Sequence, residues 1–578
     1  MSGRPLRIVA LIKQVPLGGD GDTLDSAGRL RRELFPTEMN PWCRRAVAQA
    51  VSLSEATGGH STVLTMGPPS AADVLREAVA WGADDAVHLS DPALAGSDCL
   101  VTARALAAAV TELGPFDLVL VGRSSVDGST SAVGTMVAEL LGLPFIGPAL
   151  AITLADNRLS TTLQADGATE AVSVALPAVV AVAERSCPPA KAPTESWPAA
   201  DVVRTLTTAQ LPEGAWGGAA SPTRVARVRR AVRTRWPVIL GGDLAGQAVQ
   251  AIDALESRTR IAREPQPAPP AAAVKQARTV VVLSGPAQAP ATQALLSEAE
   301  AVGRAAGCRV VAVSFPPGCE PRPAAAALAE WVTSGPLPWA VLGATTGRDR
   351  EILSRLAVRL DAGLMSDLIG VEVRPPDSGS PQLIGLKPSG DGMLAEIVGV
   401  GPTQIATLRT GSLEVRHGNP AATKDFPRIE DDPAIIRTDR RGEDDYDALE
   451  RADIVIGVGR GVDPGHYGEL APLRELLGAE LAATRKVTDA GWLPHSRQVG
   501  ITARDIAPSV YFALGMSGNS NHLSAANRAR TVIAVNNDPD ARVFSQCDIG
   551  IVADWREVVL LLTAELRRRL AVPEPAAG

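Results

Sequence analysis

The sequence predicts an α/β protein built from several parallel-sheet domains, and three observations carry that prediction. Short apolar runs alternate with helical patterns along the chain, one strand-to-helix arrangement occurs twice, and Gly-rich turns follow the strands near the C-terminus. Parallel strands covered by helices are buried on both faces, so they read as continuous apolar runs and not as alternating ones. Such runs occupy residues 7–12, 62–66, 117–121, 279–283, 309–313, 339–342, 454–458 and 532–535. A chain of 578 residues exceeds one hydrophobic core and by length alone carries roughly three to four domains.

The repeat is visible in two stretches. Asp117-Leu-Val-Leu-Val-Gly122 leads through Asp127 to a helical pattern ending at Gly142-Leu143, and Trp339-Ala-Val-Leu-Gly343 leads through Asp349 to one ending at Gly363-Leu364. A repeat separated by more than a hundred residues is a duplicated domain and not a solenoid, so two domains of related topology are expected. Pro/Ala-rich residues 264–275 read as a tether, and residues 416–439, rich in Pro, Asp and Arg, as a second connector. Domains are therefore expected at 1–263, 276–415 and 440–570.

Composition excludes several classes. A net charge of −8 gives no electrostatic reason to expect nucleic acid or an anionic membrane as partner. No apolar stretch approaches the ~20 residues of a membrane helix. The N-terminus lacks the apolar core of a signal peptide, and the reading is a cytoplasmic protein without membrane insertion. Cys43, Cys99, Cys187, Cys308, Cys319 and Cys547 show no C-x-x-C spacing and the six histidines are dispersed, so no metal is expected.

Four polar signatures follow strands between Arg460 and Asp554: Gly459-Arg460-Gly461, Ala483-Thr484-Arg485, Gln498-Val499-Gly500-Ile501-Thr502, and Gly515-Met516-Ser517-Gly518, with His522 just beyond. Gly-rich loops that open helices present unpaired N–H groups to an anion such as a pyrophosphate, so a nucleotide is expected there. Gly457-Val-Gly459-Arg-Gly461 alone also fits part of a dinucleotide fingerprint but lacks its third glycine. That leaves an NAD-dependent oxidoreductase and a nucleotide-binding regulatory protein as alternative readings.

Taken in order and closed by Val552-Ala553-Asp554, these signatures resemble the FAD-binding domain of the alpha subunit of electron transfer flavoproteins. Gly343-Ala-Thr-Thr-Gly-Arg-Asp349 and Thr407-Leu-Arg409 resemble the alpha subunit's N-terminal domain. Lys13-Gln-Val15, Met39-Asn-Pro-Trp-Cys43, Met66-Gly-Pro68 and Leu176-Pro-Ala-Val-Val180 resemble the beta subunit. The chain thus looks like a beta-then-alpha fusion. The resemblance implies two domains of adenine-nucleotide-hydrolase-like topology and a C-terminal Rossmann-like FAD domain.

By that resemblance Arg485 is the cation over the flavin ring, Thr502 the hydroxyl toward N5, and His522 faces the pyrimidine edge. A cation and hydrogen-bond donors there would stabilise the charge that a reduced flavin gains. Arg460, Thr484, Gln498, Val499, Gly500, Ile501, Ser517, Gly518, Asn519, Ser520, Asn521, Asn536, Asp554 and Trp555 are the other implied cofactor residues. Ile501 stands where the family usually has an amide and Asn521 where it usually has the longer Gln, which implies an altered flavin potential.

A second nucleotide site is implied in the beta-like part at Asn40, Cys43, Met66, Gly122, Asp127, Gly128, Ser129 and Ser131. Ala132 and Val133 stand where AMP-binding members carry polar residues, so AMP, a second FAD or neither remain open. The implied role is an electron carrier between a flavin-dependent dehydrogenase and a quinone oxidoreductase, with a bifurcating, NADH-oxidising version holding two FADs as the alternative. The Pro-rich segment 184–197 lacks the family's positive charge there, so the usual dehydrogenase is not assumed. Fusion leaves a monomer or a homodimer.

Overall fold

The computed structural model describes residues 4–16, 35–155, 157–165, 168–183, 186–230, 235, 237–260, 278–285, 289–375, 381–388, 393–413, 422–426, 428–442, 448–500, 506, 508–518, 522 and 529–570. The chain forms two compact units: Met1–Arg229 with Ala271–Ser389 and Leu394–Gly442, and Arg230–Pro270 with Gly390–Met393 and Glu443–Gly578.

The first unit holds both copies of the repeat. Its N-terminal strands are β1 (Arg7–Ile12), β2 (His60–Met66), β3 (Asp85–Leu89), β4 (Leu118–Gly122), β5 (Phe145–Ala155), β6 (Arg158–Ala165), β7 (Ala168–Ala175), β8 (Ala178–Val182), β9 (Val203–Leu206) and β10 (Thr223–Arg230). The middle copy contributes β11 (Thr279–Ser284), β12 (Arg309–Ser314), β13 (Ala340–Ala344), β14 (Leu364–Leu368), β15 (Gly370–Arg374), β16 (Gln382–Pro388), β17 (Met393–Gly399), β18 (Gln404–Leu408), β19 (Ala422–Asp425) and β20 (Ile435–Gly442). The first sheet runs β9-β3-β2-β1-β4-β8-β5-β6-β7-β20 and the second β14-β18-β13-β11-β12-β19. In each, the first strand of the copy lies between its second strand and the one that carries the repeated motif, so β1/β4 and β11/β13 are equivalent pairs.

The two copies exchange strands. β10 joins the sheet β10-β17-β16-β15 of the middle copy, whose last three strands are antiparallel, and β20 pairs antiparallel with β7 of the first. Residues 416–439, expected as a connector, therefore carry β19, parallel to β12, and the start of β20. Their charges hid this, because edge strands use charged side chains to block further pairing.

The motif helices α1 (Val133–Leu140) and α2 (Gly347–Leu360) share one apolar cluster, in which Met136, Val137, Leu353 and Leu356 are fully buried. Arg355 on α2 is 0% exposed, and its guanidinium lies 2.8 Å from a Glu139 carboxylate oxygen and 2.9 Å from Glu351. A buried cation needs such pairing, since an unpaired one would cost several kcal/mol. Burial pushes the Glu351 carboxyl up, opposed by the Arg355 charge.

The second unit is one parallel sheet. Its strands are β21 (Ile454–Val458), β22 (Glu480–Ala483), β23 (Val510–Leu514), β24 (Thr531–Asn536) and β25 (Ile549–Val552), in the order β25-β24-β23-β21-β22. Val238–Ile239 pairs parallel with β25, and the helix Leu244–Arg260 packs its Ala248, Ala251, Ile252 and Leu255 into this unit's core. Composition placed residues up to 263 in the N-terminal domain. The apolar face of this helix is the physical reason it lies elsewhere, because it must be buried against a sheet.

Candidate cofactor site

In the second unit the chain moves from β21 outward to β22, then crosses to β23 on the other side. The C-terminal ends of β21 and β23 are therefore the point where strand order reverses, the position at which open α/β sheets leave a crevice for a ligand. Both strands end in glycines that bring the two loops together. Gly459 N–H donates to the Leu514 carbonyl at 2.8 Å and Gly461 N–H to Gly515 at 2.9 Å. A Cβ on Gly459 would stand 2.3 Å from the Gly515 carbonyl oxygen, and Gly515 itself has φ +56°. Side chains are excluded here, so the loops present backbone. A small cleft opens beside them, lined by Gly461, Gly515, Asn536, Asp554 and Trp555 among others.

The sequence-expected residues fall into two groups. Arg460, Arg485 and Ser517 are exposed at strand ends. Arg485 opens the short helix Arg485–Asp489, with its Nε 3.2 Å from Asp489, and Thr484 precedes it, its N–H donating to Val458 at 3.0 Å. Asp554 accepts from the Arg556 N–H at 2.8 Å and opens α3 (Trp555–Leu570), while Asn536 donates to the Met516 carbonyl at 2.9 Å. These last two hold the strand ends that line the cleft.

The other group is the frame. Gln498 is buried, and its Oε1 lies 2.8 Å from the Thr488 hydroxyl and 3.1 Å from His495 Nδ1. Val499 N–H donates to Ala483 at 3.0 Å. Gly518 has φ +86°, and a Cβ there would stand 2.2 Å from the Val543 nitrogen. His522 is buried, with Nδ1 2.8 Å from the Val499 carbonyl and Nε2 2.7 Å from the Tyr511 hydroxyl. Burial pushes its pKa down to about 4, so the imidazole is neutral at pH 7. The expectation that His522 faces a flavin edge meets an imidazole whose two nitrogens are both engaged within the protein. Ile501, Thr502, Asn519, Ser520 and Asn521 lie outside the described residues.

Tyr511, Thr488 and His495 were not anticipated. One signal for Tyr511 was present: a glycine inside a strand marks close approach, and a Cβ on Gly457 would stand 1.8 Å from the Tyr511 hydroxyl. Gly457 makes room for that ring, which accounts for it without a dinucleotide fingerprint.

The second expected site lies at the β1/β4 switch point of the first unit, and its residues do come together. Asp127 pairs with Lys13 at 2.8 Å. Fully buried Asn40 donates to the Ser124 carbonyl at 2.8 Å and accepts from the Val126 N–H at 3.2 Å. Gly128 N–H donates to Asp127 at 2.7 Å. Cys43 is buried 3.3 Å from Asn40, and burial pushes its thiol pKa up. A Cβ on Gly122 would meet Trp42 at 2.9 Å, and Met66 ends β2 at the same edge of the sheet. Ser129 and Ser131 take left-handed φ of 46° and 49°. From the middle copy, Lys387 Nζ lies 3.4 Å from the Ser129 carbonyl and 2.9 Å from that of Ser366, and the Ser366 hydroxyl donates to Thr130 at 2.7 Å. Burial brings the Lys387 pKa down to about 8, against the charge of Asp367.

Comparison with known proteins agrees with this layout. The electron transfer flavoprotein domain matches twice, at residues 33–205 and 270–434, covering more than half of the chain and both copies of the repeat. The electron transfer flavoprotein FAD-binding domain matches residues 448–527. The electron transfer flavoprotein subunit alpha of Bacillus subtilis is 30% identical over 238 residues, 40% of this chain and 71% of that protein. Protein FixA of Azorhizobium caulinodans is 37% identical over 186 residues, 31% of this chain and 66% of that protein. Protein FixB of Salmonella paratyphi A is 30% identical over 250 residues, 42% of this chain and 79% of that protein. The chain belongs to the electron transfer flavoprotein family, with that family's FAD-binding domain in its second unit.

Proposed function

We propose that this chain is a self-contained electron carrier that holds one FAD in the crevice of its second unit, takes electrons from a flavin-dependent dehydrogenase and delivers them to a quinone-linked acceptor. The observation that carries this reading is the cleft at the β21/β23 switch point, whose Gly461 and Gly515 lie within the stretch that matches the FAD-binding domain and whose Asn536 and Asp554 follow it in the same sheet. Arg460 and Ser517 would hold the pyrophosphate with charge-assisted and backbone hydrogen bonds. Asn536 and Asp554 would border the ribose and adenine, and Arg485 would lie toward the flavin ring. FAD supplies the redox chemistry, while the protein binds it, orients it and tunes its electronics.

One cofactor per chain is favoured because the loop at the first switch point already has its polar groups tied to Lys13, Asn40, Ser366 and Lys387. Among the described residues no helix is long and apolar enough to cross a membrane. The test is anaerobic mixing of the FAD-loaded chain with a dehydrogenase and its substrate, then with a quinone oxidoreductase. Bleaching of the flavin followed by its reoxidation is the expected result. Bleaching by NADH alone, with two FADs per chain, would move the function to electron bifurcation.

A further inference from the structure

The Val499-Gly500 turn is held from behind by a chain of groups that starts at a residue no motif covers. Tyr511 on β23 is fully buried, with its hydroxyl in the space left by Gly457 and 2.7 Å from His522 Nε2. His522 Nδ1 faces the Val499 carbonyl at 2.8 Å. A carbonyl can only accept, so Nδ1 carries the proton, Nε2 is the acceptor and the Tyr511 hydroxyl donates to it. The Val499 N–H is fixed in turn on the Ala483 carbonyl of β22. The turn is therefore tied to two strands of the sheet, and Gly500 follows it with φ +143°, which side-chain-bearing residues rarely adopt.

We infer that Tyr511 is a positioning residue of the cofactor site: its hydroxyl orients the His522 imidazole, and through it fixes the Val499 carbonyl and the Gly500 turn. The inference rests on the reading that the second unit binds FAD. In this arrangement His522 braces the turn through its contacts with Tyr511 and Val499. Removing the hydroxyl leaves a buried acceptor without its donor, and that loss is transmitted to the turn.

The test is FAD titration of the full-length apoprotein, read by flavin fluorescence, for wild type, Tyr511→Phe, His522→Leu, the double variant and His522→Gln. Tyr511→Phe and His522→Leu are each expected to weaken FAD binding about ten-fold. The double variant should be no weaker than the poorer single, because both break one chain of contacts. His522→Gln, which keeps a donor for Val499 and an acceptor for Tyr511, should stay within about two-fold of wild type. Wild-type affinity in Tyr511→Phe, additive effects in the double variant, or a loss in His522→Gln equal to that in His522→Leu would each overturn the inference. Should Tyr511→Phe not fold, the contrast between His522→Gln and His522→Leu still decides. Absence of FAD binding by the wild type would overturn the cofactor reading instead.

Discussion

The β1/β4 loop of the first unit and the β21/β23 loops of the second occupy equivalent places, each where the strand order of a parallel sheet reverses, yet they are built in opposite ways. The first is laced with side chains: Lys13 on Asp127, Asn40 on Ser124 and Val126, Lys387 and Ser366 on the carbonyls of Ser129 and Thr130. The second brings backbone against backbone through Gly459, Gly461 and Gly515 and keeps its larger side chains behind the loop or at the rim. The same topological position is thus filled by paired side chains in one unit and by close-packed backbone in the other.

The largest expected contrast comes from adding one methyl group to each loop. Gly459→Ala would drive a Cβ to 2.3 Å from a backbone oxygen, costing on the order of 3 kcal/mol or more and abolishing FAD binding. Gly128→Ala meets nothing closer than 3.5 Å and should change stability by about 0.5 kcal/mol at most. Urea unfolding and FAD titration of the two variants check this. Equal effects would mean that the two loops are not differently built.

The loops should also report at opposite ends of the pH scale. His522 is pushed down to about 4 in the folded chain from an ordinary 6.5, so the unfolded chain binds more protons between these values. Stability should then fall by up to about 3 kcal/mol as pH drops through that window. Lys387, lowered from 10.5 to about 8, makes the unfolded chain the better proton binder between those values. Its contribution should therefore rise with pH across that alkaline range, by a similar order. Unfolding free energies over the two windows test this, with His522→Gln flattening the acid limb and Lys387→Met the alkaline one.

The smallest effect on stability is expected at Arg485. Its pair with Asp489 is half-exposed, and such pairs contribute about 0.5 kcal/mol or less. Arg485→Ala should leave unfolding nearly unchanged while making the bound flavin harder to reduce, read as a lower potential in a redox titration. An unchanged potential would remove Arg485 from the flavin's surroundings.

Much of this was legible in the sequence because it rests on local pattern. The apolar runs at 7–12, 117–121 and 454–458 became central strands, since doubly buried parallel strands cannot be anything but apolar. The repeat at Asp117–Leu143 and Trp339–Leu364 became β4 with α1 and β13 with α2. What escaped was long-range. The exchange of β10 and β20 depends on partners more than 160 residues away, and charged edge strands resemble linkers. The packing of residues 244–260 against the C-terminal sheet, and the use of Gly457 to admit Tyr511, are likewise set by tertiary neighbours that no local window contains. The burial of Gln498 and His522, and their contacts with Thr488, His495 and Tyr511, also could not be read from the motifs in which they stand.

The central claim is that the second unit's crevice holds a single FAD while the loop of the first unit is closed on itself. Its most direct test is the nucleotide content of the purified, FAD-reconstituted chain, with flavin quantified from the visible spectrum and AMP from the denatured supernatant. The account predicts one FAD and no AMP per chain, with the flavin lost in Gly459→Ala and retained in Gly128→Ala. Two FADs, or one FAD with stoichiometric AMP, would contradict the closed first loop, and no flavin in the wild type would contradict the site itself.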